Sequence, residues 1–217
     1  YIADVQVNDS SYLKTALAKN SYGKNIKERT SDIATSNNAI LAINGDYYGF
    51  RNSGYVIRNS TLYRDTKSGD NNQDLVIYSD GSFEIVDESD IDANELMNKS
   101  ATQVLSFGPG LIEDRQITVD ENTEVSMSKS SNPRTAIGCI DKNHYVLVVS
   151  DGRTSESEGL SLYQLATLMK DYGCEIAYNL DGGGSSTMWF NGQVINKPTS
   201  GRSIEEREVS DIVYIGY

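Results

Sequence analysis

Short apolar runs separated by polar, glycine-containing turns extend along most of the 217-residue chain, and this pattern predicts more strand than helix. Runs that are too apolar to be exposed, such as residues 39–43, predict buried strands. The pairs Asp80-Gly81 and Asn191-Gly192 lie between such runs and predict tight hairpins. The predicted strands are residues 2–7, 39–43, 55–57, 61–63, 75–78, 83–86, 101–107, 135–140, 145–150, 175–178, 187–190, 193–196 and 209–217.

Helices are predicted where apolar residues recur at helical spacing behind a capping residue. The clearest one follows Ser161, because Ser161 and Gln164 have the spacing of a capping box and an apolar stripe ends before Gly173. The other predicted helices are residues 10–19, a segment that starts near Thr30, and residues 91–99.

These elements predict one domain over residues 1–217 of the α+β class (mixed α/β). We expect mixed β-sheets, a few flanking helices and an active site in the loops at strand ends. Two polar segments, residues 64–73 and 113–132, are candidate flaps beside that site. Tyr1 is expected to be a processed or trimmed end of a larger secreted protein.

The segment NLDGGGSSTM, residues 179–188, is the strongest candidate for a functional loop. It lies between two predicted strands and sets one carboxylate beside three glycines and three hydroxyls. Bare backbone N–H groups and hydroxyls form anion-binding concavities, which favours a carboxylate facing a substrate whose oxyanion or phosphate the amides hold. A flexible turn is the alternative. The candidate residues are Asp181, Gly182, Gly183, Gly184, Ser185, Ser186 and Thr187.

Two other predicted strands end in loops of the same composition, with a glycine directly beside a carboxylate. They are Asn44-Gly45-Asp46, which is followed by Tyr47, and Asp151-Gly152-Arg153. One such pair is a common turn. Three such loops after buried strands predict that the loops converge on one cleft. A strand–helix–strand unit over residues 145–178 would also set Asp151 and Asp181 at the same end of a sheet.

Arg134 and Arg153 are the best candidates for binding an anion, because a guanidinium pairs bidentately with phosphate or carboxylate. Arg134 begins a predicted strand after Pro133, and Arg153 lies two positions after Asp151. A buried salt bridge between Asp151 and an arginine, which only supports the loop, is the alternative for Arg153.

The chain carries 19 basic and 31 acidic residues, and the resulting net charge of −12 disfavours nucleic acid and anionic membranes as partners. It has no run of about 18 apolar residues, so no membrane insertion is expected. Cys139 and Cys174 fit no metal motif; one disulfide is possible in principle, and two buried thiols are favoured.

His144, the only histidine, falls in a predicted hairpin turn, which argues against a Ser-His-Asp triad and against a histidine-rich zinc site. The glycine loop also lacks the lysine of a P-loop. The remaining carboxylates, arginines, amides and hydroxyls suit glycosyl transfer, in which carboxylates stabilise an oxocarbenium-like centre.

These motifs resemble the phosphodiester glycosidase family over most of the chain, from about residue 39 to the end. Family members often have glycine at Asp46 and proline at Glu208. The segments that carry the resemblance are Ala42-Ile43-Asn44-Gly45 with Tyr47-Tyr48, Phe107-Gly108-Pro109-Gly110-Leu111, Pro133-Arg134-Thr135-Ala136-Ile137-Gly138, Asp151-Gly152-Arg153, residues 179–188, and Arg207 with Val209-Ser210.

The resemblance implies hydrolysis of a sugar-1-phosphodiester, such as a GlcNAc-1-phosphate diester, at the anomeric C–O bond. A phosphate monoester has a second pKa of about 6, so it departs without much protonation. We expect Arg134, Arg153 and the amides of residues 182–185 to hold the phosphate. Asp181 is expected to be the nucleophile or electrostatic stabiliser, and Asp151 the base for water or the residue that orients Arg153. Active-site roles are also implied for Asn44 and Gly45, and substrate contacts are expected for Asp46 and Tyr47.

Two other functions fit the same residues. One is a module that binds an anionic glycan or phosphate without cleaving it. The other is a metal-dependent phosphodiesterase in which Asp46, Asp151 and Asp181 hold Mg²⁺ or Ca²⁺. The favoured hypothesis needs no cofactor and has a sugar-phosphate or glycan as its partner. Bacterial relatives are often linked to exopolysaccharide or cell-wall polymers, which implies an extracellular or cell-envelope location.

Overall fold

Three antiparallel sheets dominate the computed structural model, which describes residues 1–69, 72–123, 131–201 and 203–217. The largest sheet has six strands, in the order β1 (Ile2–Gln6), β13 (His144–Ser150), β12 (Arg134–Asp141), β14 (Ile176–Leu180), β10 (Gly110–Glu113) and β11 (Gln116–Ile117). The second has five strands, β16 (Gln193–Val194), β15 (Met188–Phe190), β4 (Ala39–Asn44), β20 (Asp211–Gly216) and β2 (Leu13–Leu17).

The third sheet also has five strands, and two short ribbons complete the described strands. The order of the third sheet is β6 (Thr61–Arg64), β5 (Val56–Arg58), β9 (Ala101–Leu105), β7 (Gln73–Tyr78) and β8 (Phe83–Asp87). The ribbons pair β3 (Glu28–Arg29) with β19 (Glu208–Val209), and β17 (Thr199–Ser200) with β18 (Ser203–Ile204). The predicted α+β class is therefore confirmed.

Each of the three sheets carries one α-helix on its outer face. Apolar residues of α1 pack on the second sheet, those of α2 on the third, and those of α3 on the six-stranded sheet. No helix of the described residues is long and apolar enough to cross a membrane. The helices are α1 (Thr30–Ser36), α2 (Ala93–Asn98) and α3 (Leu162–Asp171), and single 3₁₀ turns cover Ser10–Tyr12, Ala18–Asn20, Tyr48–Phe50 and Gly183–Ser185.

The helix α3 has the predicted capping box. The backbone N–H of Gln164 donates to Ser161 Oγ at 3.1 Å, and the N–H of Ser161 donates to Gln164 Oε1 at 2.9 Å. Two of the N–H groups that a helix start leaves unpaired are satisfied in this way.

The main core lies where the inner faces of the three sheets meet, and the period-two alternation of the strands builds it. In β13, Leu147 and Val149 point to this core, whereas Val146 and Val148 pack against α3. The strand β4 alternates in the same way, with Ile43 in the main core and Ala42 against α1. A strand buried on both faces has a continuous apolar sequence, which is why these runs were recognisable.

The predicted helix over residues 10–19 is wrong. After one 3₁₀ turn the chain forms β2, which pairs antiparallel with β20 from Leu13↔Ile215 to Leu17↔Asp211. The apolar spacing in this segment fits a helix and a strand about equally well. Pairing with the distant β20 decides the outcome, because it satisfies the backbone groups of β20 that β4 leaves open.

The segment 113–132 was a candidate flap, and its first residues belong to the β10–β11 hairpin. Residues 124–130 of this segment lie outside the described residues, as do residues 70–71 of the other candidate flap. The remaining described residues between β6 and β7 form no regular element, so the flap hypothesis stays a prediction there.

The predicted strand–helix–strand unit is present as β13, α3 and β14, with one difference in the sheet. The strand β12 lies between β13 and β14 and is antiparallel to both, so β13 and β14 run parallel to each other. Asp151 follows β13 and Asp181 follows β14, which places both at the same edge of the sheet.

Both cysteines are buried free thiols, as the sequence favoured. Burial raises the pKa of Cys139 and of Cys174 to about 12 in each case, so neither forms a thiolate at neutral pH. They contribute to the packing between β12 and the end of α3.

Candidate active site

The glycine loop is joined directly to the loop after β4. Asn44 is fully buried, and its Nδ2 donates to the backbone oxygen of Asp181 at 2.6 Å. Its Oδ1 accepts from the N–H of Thr187 at 3.2 Å and from the hydroxyl of Thr135 at 2.7 Å. The amide of Asn44 thus clamps both ends of the glycine loop to each other and to β12.

Gly45 has a steric reason to be glycine. A Cβ at this position would lie 2.6 Å from Asp211 Oδ1, which is closer than real Cβ contacts. Its backbone oxygen accepts from the N–H of Asp181 at 3.2 Å, and its N–H donates to the backbone oxygen of Asp211 at 3.0 Å. Gly45 therefore holds Asp181 next to the start of β20.

Asp181 lines a pocket of about 370 Å³, which is near the lower end of the range for small-molecule sites. Residues from distant parts of the chain surround this carboxyl group. The pocket walls include Lys27, Asp46, Tyr47, Ser185 and Arg207.

Burial raises the pKa of Asp181 from its ordinary value of 3.8 to about 6. The neighbouring Ser185 hydroxyl and the Arg207 guanidinium act in the opposite direction and lower the pKa of this carboxyl group. Asp181 is therefore mostly ionised at neutral pH, and the residue is half-buried in the pocket wall.

Two of the three glycines lie beneath arginine side chains. A Cβ on Gly184 would lie 2.6 Å from Arg207 Nη2 and 2.9 Å from its Cζ. A Cβ on Gly183, whose φ is +60°, would lie 3.0 Å from Arg153 Nη2. The absence of side chains here lets two guanidinium groups approach the bare backbone of one loop.

We expect Gly184→Ala to lower kcat/KM by about 10²-fold, because the added methyl group must displace the Arg207 guanidinium from its place beside Asp181. Gly184 has no positive φ, so backbone strain should not contribute. Steady-state turnover of a sugar-1-phosphodiester measures the change in activity, and the melting temperature measures any change in stability. A variant that melts like the parent and keeps its activity would show that the position of Arg207 is unimportant.

Three hydroxyls around the glycine loop are buried and have no hydrogen-bond partner within the described part of the chain. They belong to Ser186, Thr187 and Ser210, of which Ser210 lines the pocket. Buried polar groups without partners are rare in native structures, and a bound ligand is one way to satisfy them. These hydroxyls support a polar ligand at this loop.

Arg134 and Arg153, the predicted anion ligands, lie next to the pocket without lining it. Arg134 is buried, and its Nε donates to the backbone oxygen of Leu160 at 2.9 Å. Burial and, secondarily, the charge of Arg153 lower the pKa of the Arg134 guanidinium. Arg153 is exposed, and its Nε and Nη2 donate to Asn132 Oδ1 at 3.2 and 3.1 Å.

Asp151 forms no salt bridge with Arg153. The structure therefore does not support the alternative in which a buried salt bridge between these two residues only supports the loop. Asp151 Oδ1 instead accepts from Asn196 Nδ2 at 3.0 Å and from the N–H of Lys197 at 2.8 Å. Asn196 in turn donates to the backbone oxygen of Ser186 at 3.0 Å. Asp151 thus braces the end of the glycine loop through Asn196, and its side chain does not line the pocket.

A buried arginine that the sequence analysis did not single out supports the pocket floor. Arg58 Nε donates to Asp211 Oδ2 at 2.7 Å, and its Nη2 lies 3.3 Å from Asp46 Oδ2. All three side chains are buried. Burial raises the pKa of Asp211 to about 7, although Arg58 opposes this rise. Asp46 also accepts from the N–H of Ser106 at 2.8 Å.

Sequence reasoning missed several residues that line or support the pocket, for different reasons. Arg207 belonged to a motif that the resemblance quoted, together with Ser210, but it received no role. Lys27 lies in a polar stretch without any motif. Arg58 ends a short strand, where an arginine is usually exposed. The signal that could have located Arg207 was its closeness to the last strand, whose partner β4 carries Asn44.

The carboxylates of Asp46, Asp151 and Asp181 have separate partners, although they were grouped in the metal-dependent alternative. Asp46 binds Arg58, Asp151 binds Asn196, and Asp181 faces the pocket. Among the described residues, no three Asp, Glu, His or Cys side chains are placed to hold a metal ion. His144 lies outside the pocket lining and pairs with Asp4 Oδ1 at 2.6 Å.

The fold and site define a strand-rich α+β protein with a carboxylate and guanidinium pocket on a glycine loop. The sequence profile described as phosphodiester glycosidase matches residues 37–216, and the chain belongs to this family. The resemblance inferred from the motifs is therefore confirmed.

Two relatives show how far the sequence similarity extends. The SPbeta prophage-derived uncharacterized protein YomE of Bacillus subtilis (strain 168) is 30% identical over 202 residues, which are 90% of this chain and 31% of YomE. The mouse N-acetylglucosamine-1-phosphodiester alpha-N-acetylglucosaminidase is 37% identical over 91 residues, which are 40% of this chain and 17% of the enzyme. The chain thus spans less than a third of each of these proteins.

The catalytic domain of the zebrafish N-acetylglucosamine-1-phosphodiester alpha-N-acetylglucosaminidase, auto-inhibited by its pro-peptide, has the same fold. Its TM-score is 0.77 at 22% identity, and the match covers 100% of this chain and 82% of that chain. At this identity the likeness concerns the fold.

Proposed function

We propose that the protein hydrolyses a sugar-1-phosphodiester, a GlcNAc-1-phosphate diester or a related cell-envelope glycan, at the anomeric C–O bond. The observation that carries the proposal is the pocket in which the ionisable carboxyl group of Asp181 lies beside the Arg207 guanidinium on the bare glycine loop. The family membership supports the same reaction. An anionic leaving group and a cationic sugar centre need opposite charges at neighbouring positions, and this pocket supplies both.

Binding of the phosphate falls to the basic and hydroxyl groups of the pocket. The Arg207 guanidinium lies over Gly184, and the buried hydroxyl of Ser185 lines the same pocket. Lys27 lies at the rim, 3.1 Å from Glu208 Oε2, and both side chains are about half exposed. Arg134 and Arg153 lie beyond the pocket wall, so we assign the reacting phosphate to Arg207 rather than to them.

The sugar is placed against an aromatic pair at the pocket edge. The rings of Tyr47 and Phe50 stack with centroids 4.6 Å apart, and Phe50 is 41% exposed. Both residues line the pocket with Asp181. An exposed aromatic face suits the apolar C–H face of a pyranose, while the tyrosine hydroxyl can bind a sugar hydroxyl.

In the reaction, the bond between the anomeric carbon and the phosphate oxygen breaks, and its electron pair leaves with the phosphate. The ionised carboxylate of Asp181 stabilises the positive charge that develops on the anomeric carbon, or attacks this carbon as nucleophile. Water then supplies the hydroxyl group of the released sugar and loses its proton to solvent. Asp151 supports the loop that carries Asp181 and is not needed at the reacting atoms.

The direct test is incubation of the protein with a GlcNAc-1-phosphodiester and quantification of both products. The proposal predicts free sugar and phosphate monoester in equal amounts. Tight binding without release of sugar would point to the glycan-binding alternative. Loss of activity in chelator, restored by Mg²⁺ or Ca²⁺, would point to the metal-dependent alternative.

Activity should depend on pH through Asp181. Its pKa is raised to about 6 and the proposed role needs the charged form, so kcat/KM is expected to fall about tenfold per pH unit below 6 and to level off above it. A pH–rate profile of kcat/KM measures this directly. An activity that is highest below pH 5 would instead mean that Asp181 acts in its protonated form, as an acid.

An extracellular or cell-envelope location fits a substrate in envelope glycans and is part of the proposal. Fractionation of the source cells tests it. The proposed partner is the sugar-phosphate or glycan substrate alone.

A further inference from the structure

Asn196 is a buried asparagine whose side-chain amide holds the C-terminal end of the glycine loop. Its Oδ1 accepts from the backbone N–H of Met188 at 2.8 Å. Its Nδ2 donates to the backbone oxygen of Ser186 at 3.0 Å and to Asp151 Oδ1 at 3.0 Å. One amide group thus fixes the backbone on both sides of Thr187.

The orientation of the Asn196 amide is set by Asp151. A carboxylate is an acceptor only, so the Nδ2 group must face it. With the amide turned over, an oxygen would face Asp151 and the Ser186 oxygen, and none of these three atoms has a proton to donate. Asp151 is itself held in place, because its Oδ1 also accepts from the N–H of Lys197 at 2.8 Å.

The segment that Asn196 holds is continuous with a group on the reacting carboxyl. The 3₁₀ turn over Gly183–Ser185 ends directly at Ser186. Ser185 is buried, and its hydroxyl is hydrogen-bonded to the carboxylate of Asp181. A displacement of Ser186 therefore moves this hydroxyl relative to the carboxylate.

The charged groups around Asp181 come from other parts of the chain. Burial raises the pKa of Asp181 to about 6, the serine hydroxyl and the Arg207 guanidinium oppose this rise, and Asp46 adds to it. Lys27 and Glu208 line the same pocket and pair with each other at 3.1 Å. The serine hydroxyl is thus the contact of this carboxyl group that the asparagine holds in place.

We propose that Asn196 is a positioning residue for the reaction, which keeps the Ser185 hydroxyl on the ionised Asp181 in an orientation that Asp151 fixes. Its place in the reaction rests on the proposed function. Asp151 then contributes through Asn196, whereas the expectation from sequence was a base for water or a residue that orients Arg153.

The pKa of Asp181 is the readout, because a loss of stability alone does not change it. ¹³C NMR titration of the side-chain carboxyl carbon, assigned by its absence from Asp181→Asn, measures this pKa without substrate. Asn196→Ala is expected to raise it by about one pH unit, the value of one hydrogen bond to a charged group. The acidic limb of the kcat/KM profile should move to higher pH by the same amount.

Two substitutions of Asp151 separate its charge from its role as an acceptor. Asp151→Asn should leave the pKa of Asp181 close to that of the wild type, because an amide oxygen accepts the same two N–H groups. Asp151→Ala should raise this pKa, although loss of a nearby negative charge alone would lower it. Asp151→Ala combined with Asn196→Ala should have no more effect than Asn196→Ala alone.

Asn94→Ala is the matched control, since Asn94 is exposed on α2 and lies outside the pocket lining. It should leave the pKa of Asp181 unchanged. If Asn196→Ala does not fold, Ser185→Ala takes its place and should raise this pKa by the same amount.

An unchanged pKa of Asp181 in folded Asn196→Ala, or in Ser185→Ala, would overturn the inference. Equal effects of Asp151→Asn and Asp151→Ala would also overturn it. Failure of the wild-type protein to cleave a GlcNAc-1-phosphodiester would instead refute the proposed function, and the NMR titration would still test the contact, so the two failures are distinguishable.

Discussion

Replacing Asp181 with asparagine is expected to lower kcat by about 10³-fold or more, as the loss of a key electrostatic stabiliser does. The backbone of Asp181 makes two of the bonds that shape the loop, since its oxygen accepts from Asn44 and its N–H donates to Gly45. The substitution should therefore remove the charge and leave the loop in place. Turnover of a GlcNAc-1-phosphodiester measures the effect.

The stability of the Asp181→Asn variant separates loss of chemistry from loss of fold. The pKa of Asp181 is raised in the folded state to about 6, from an ordinary value of 3.8. The stability that this proton-binding group contributes is present below pH 3.8 and is lost as the pH rises through about 6. At pH 7 the asparagine variant should thus melt no lower than the parent. A folded variant with near-full turnover would rule out the assigned role.

A matched control for this substitution is Asp114→Asn. Asp114 is exposed in the β10–β11 turn with a φ of +48°, a conformation that asparagine also tolerates. The same chemical change there should alter neither turnover nor melting temperature. An equal loss of activity in both variants would show that the effect is not specific to the pocket.

Replacing Arg58 with leucine is expected to lower the free energy of unfolding by about 3–5 kcal/mol, because removal of one partner leaves buried charges without compensation. Arg58 binds both Asp211 and Asp46, and all three side chains are buried. Its guanidinium also donates to the backbone oxygens of Ile57 and Val104. Urea unfolding with a common m-value measures the difference.

The decrease in the free energy of unfolding in Arg58→Leu should depend on pH, and this dependence tests the cause of the decrease. Burial already raises the pKa of Asp211 to about 7, and removal of the opposing guanidinium should raise it further. The loss of stability should then shrink as the pH falls, since protonation removes the uncompensated charge. Arg115→Leu, at an exposed arginine, should change stability by less than about 0.5 kcal/mol. A similarly small loss for Arg58→Leu would contradict the account of the pocket floor.

The sequence was most informative where local pattern and tertiary structure agree. The strands β4, β13 and β14 are apolar on both faces because a sheet interior covers one side and a helix the other, so their runs were visible without coordinates. The capping box of α3 is a local feature and was equally visible. The strand β2 was missed because its partner β20 lies at the other end of the chain.

The loops that form the candidate site were predictable from the sequence, whereas the contacts between its side chains were less so. Asn44 ends a buried strand and Asp181 follows one, and the structure joins their loops through several hydrogen bonds, of which the bond from Asn44 Nδ2 to the Asp181 oxygen is 2.6 Å long. Lys27 and Arg207 also line the pocket, and they precede short ribbon strands and show no periodic pattern. Which arginine meets the carboxylate depends on long-range packing, which a linear motif does not record.

The most direct test of the proposed reaction is hydrolysis of a GlcNAc-1-phosphodiester in ¹⁸O-labelled water, with both products analysed by mass spectrometry. Cleavage at the anomeric C–O bond predicts the label in the released sugar and none in the phosphate monoester. Label in the phosphate would mean that the P–O bond breaks, and it would contradict the central role given to Asp181 at the sugar carbon.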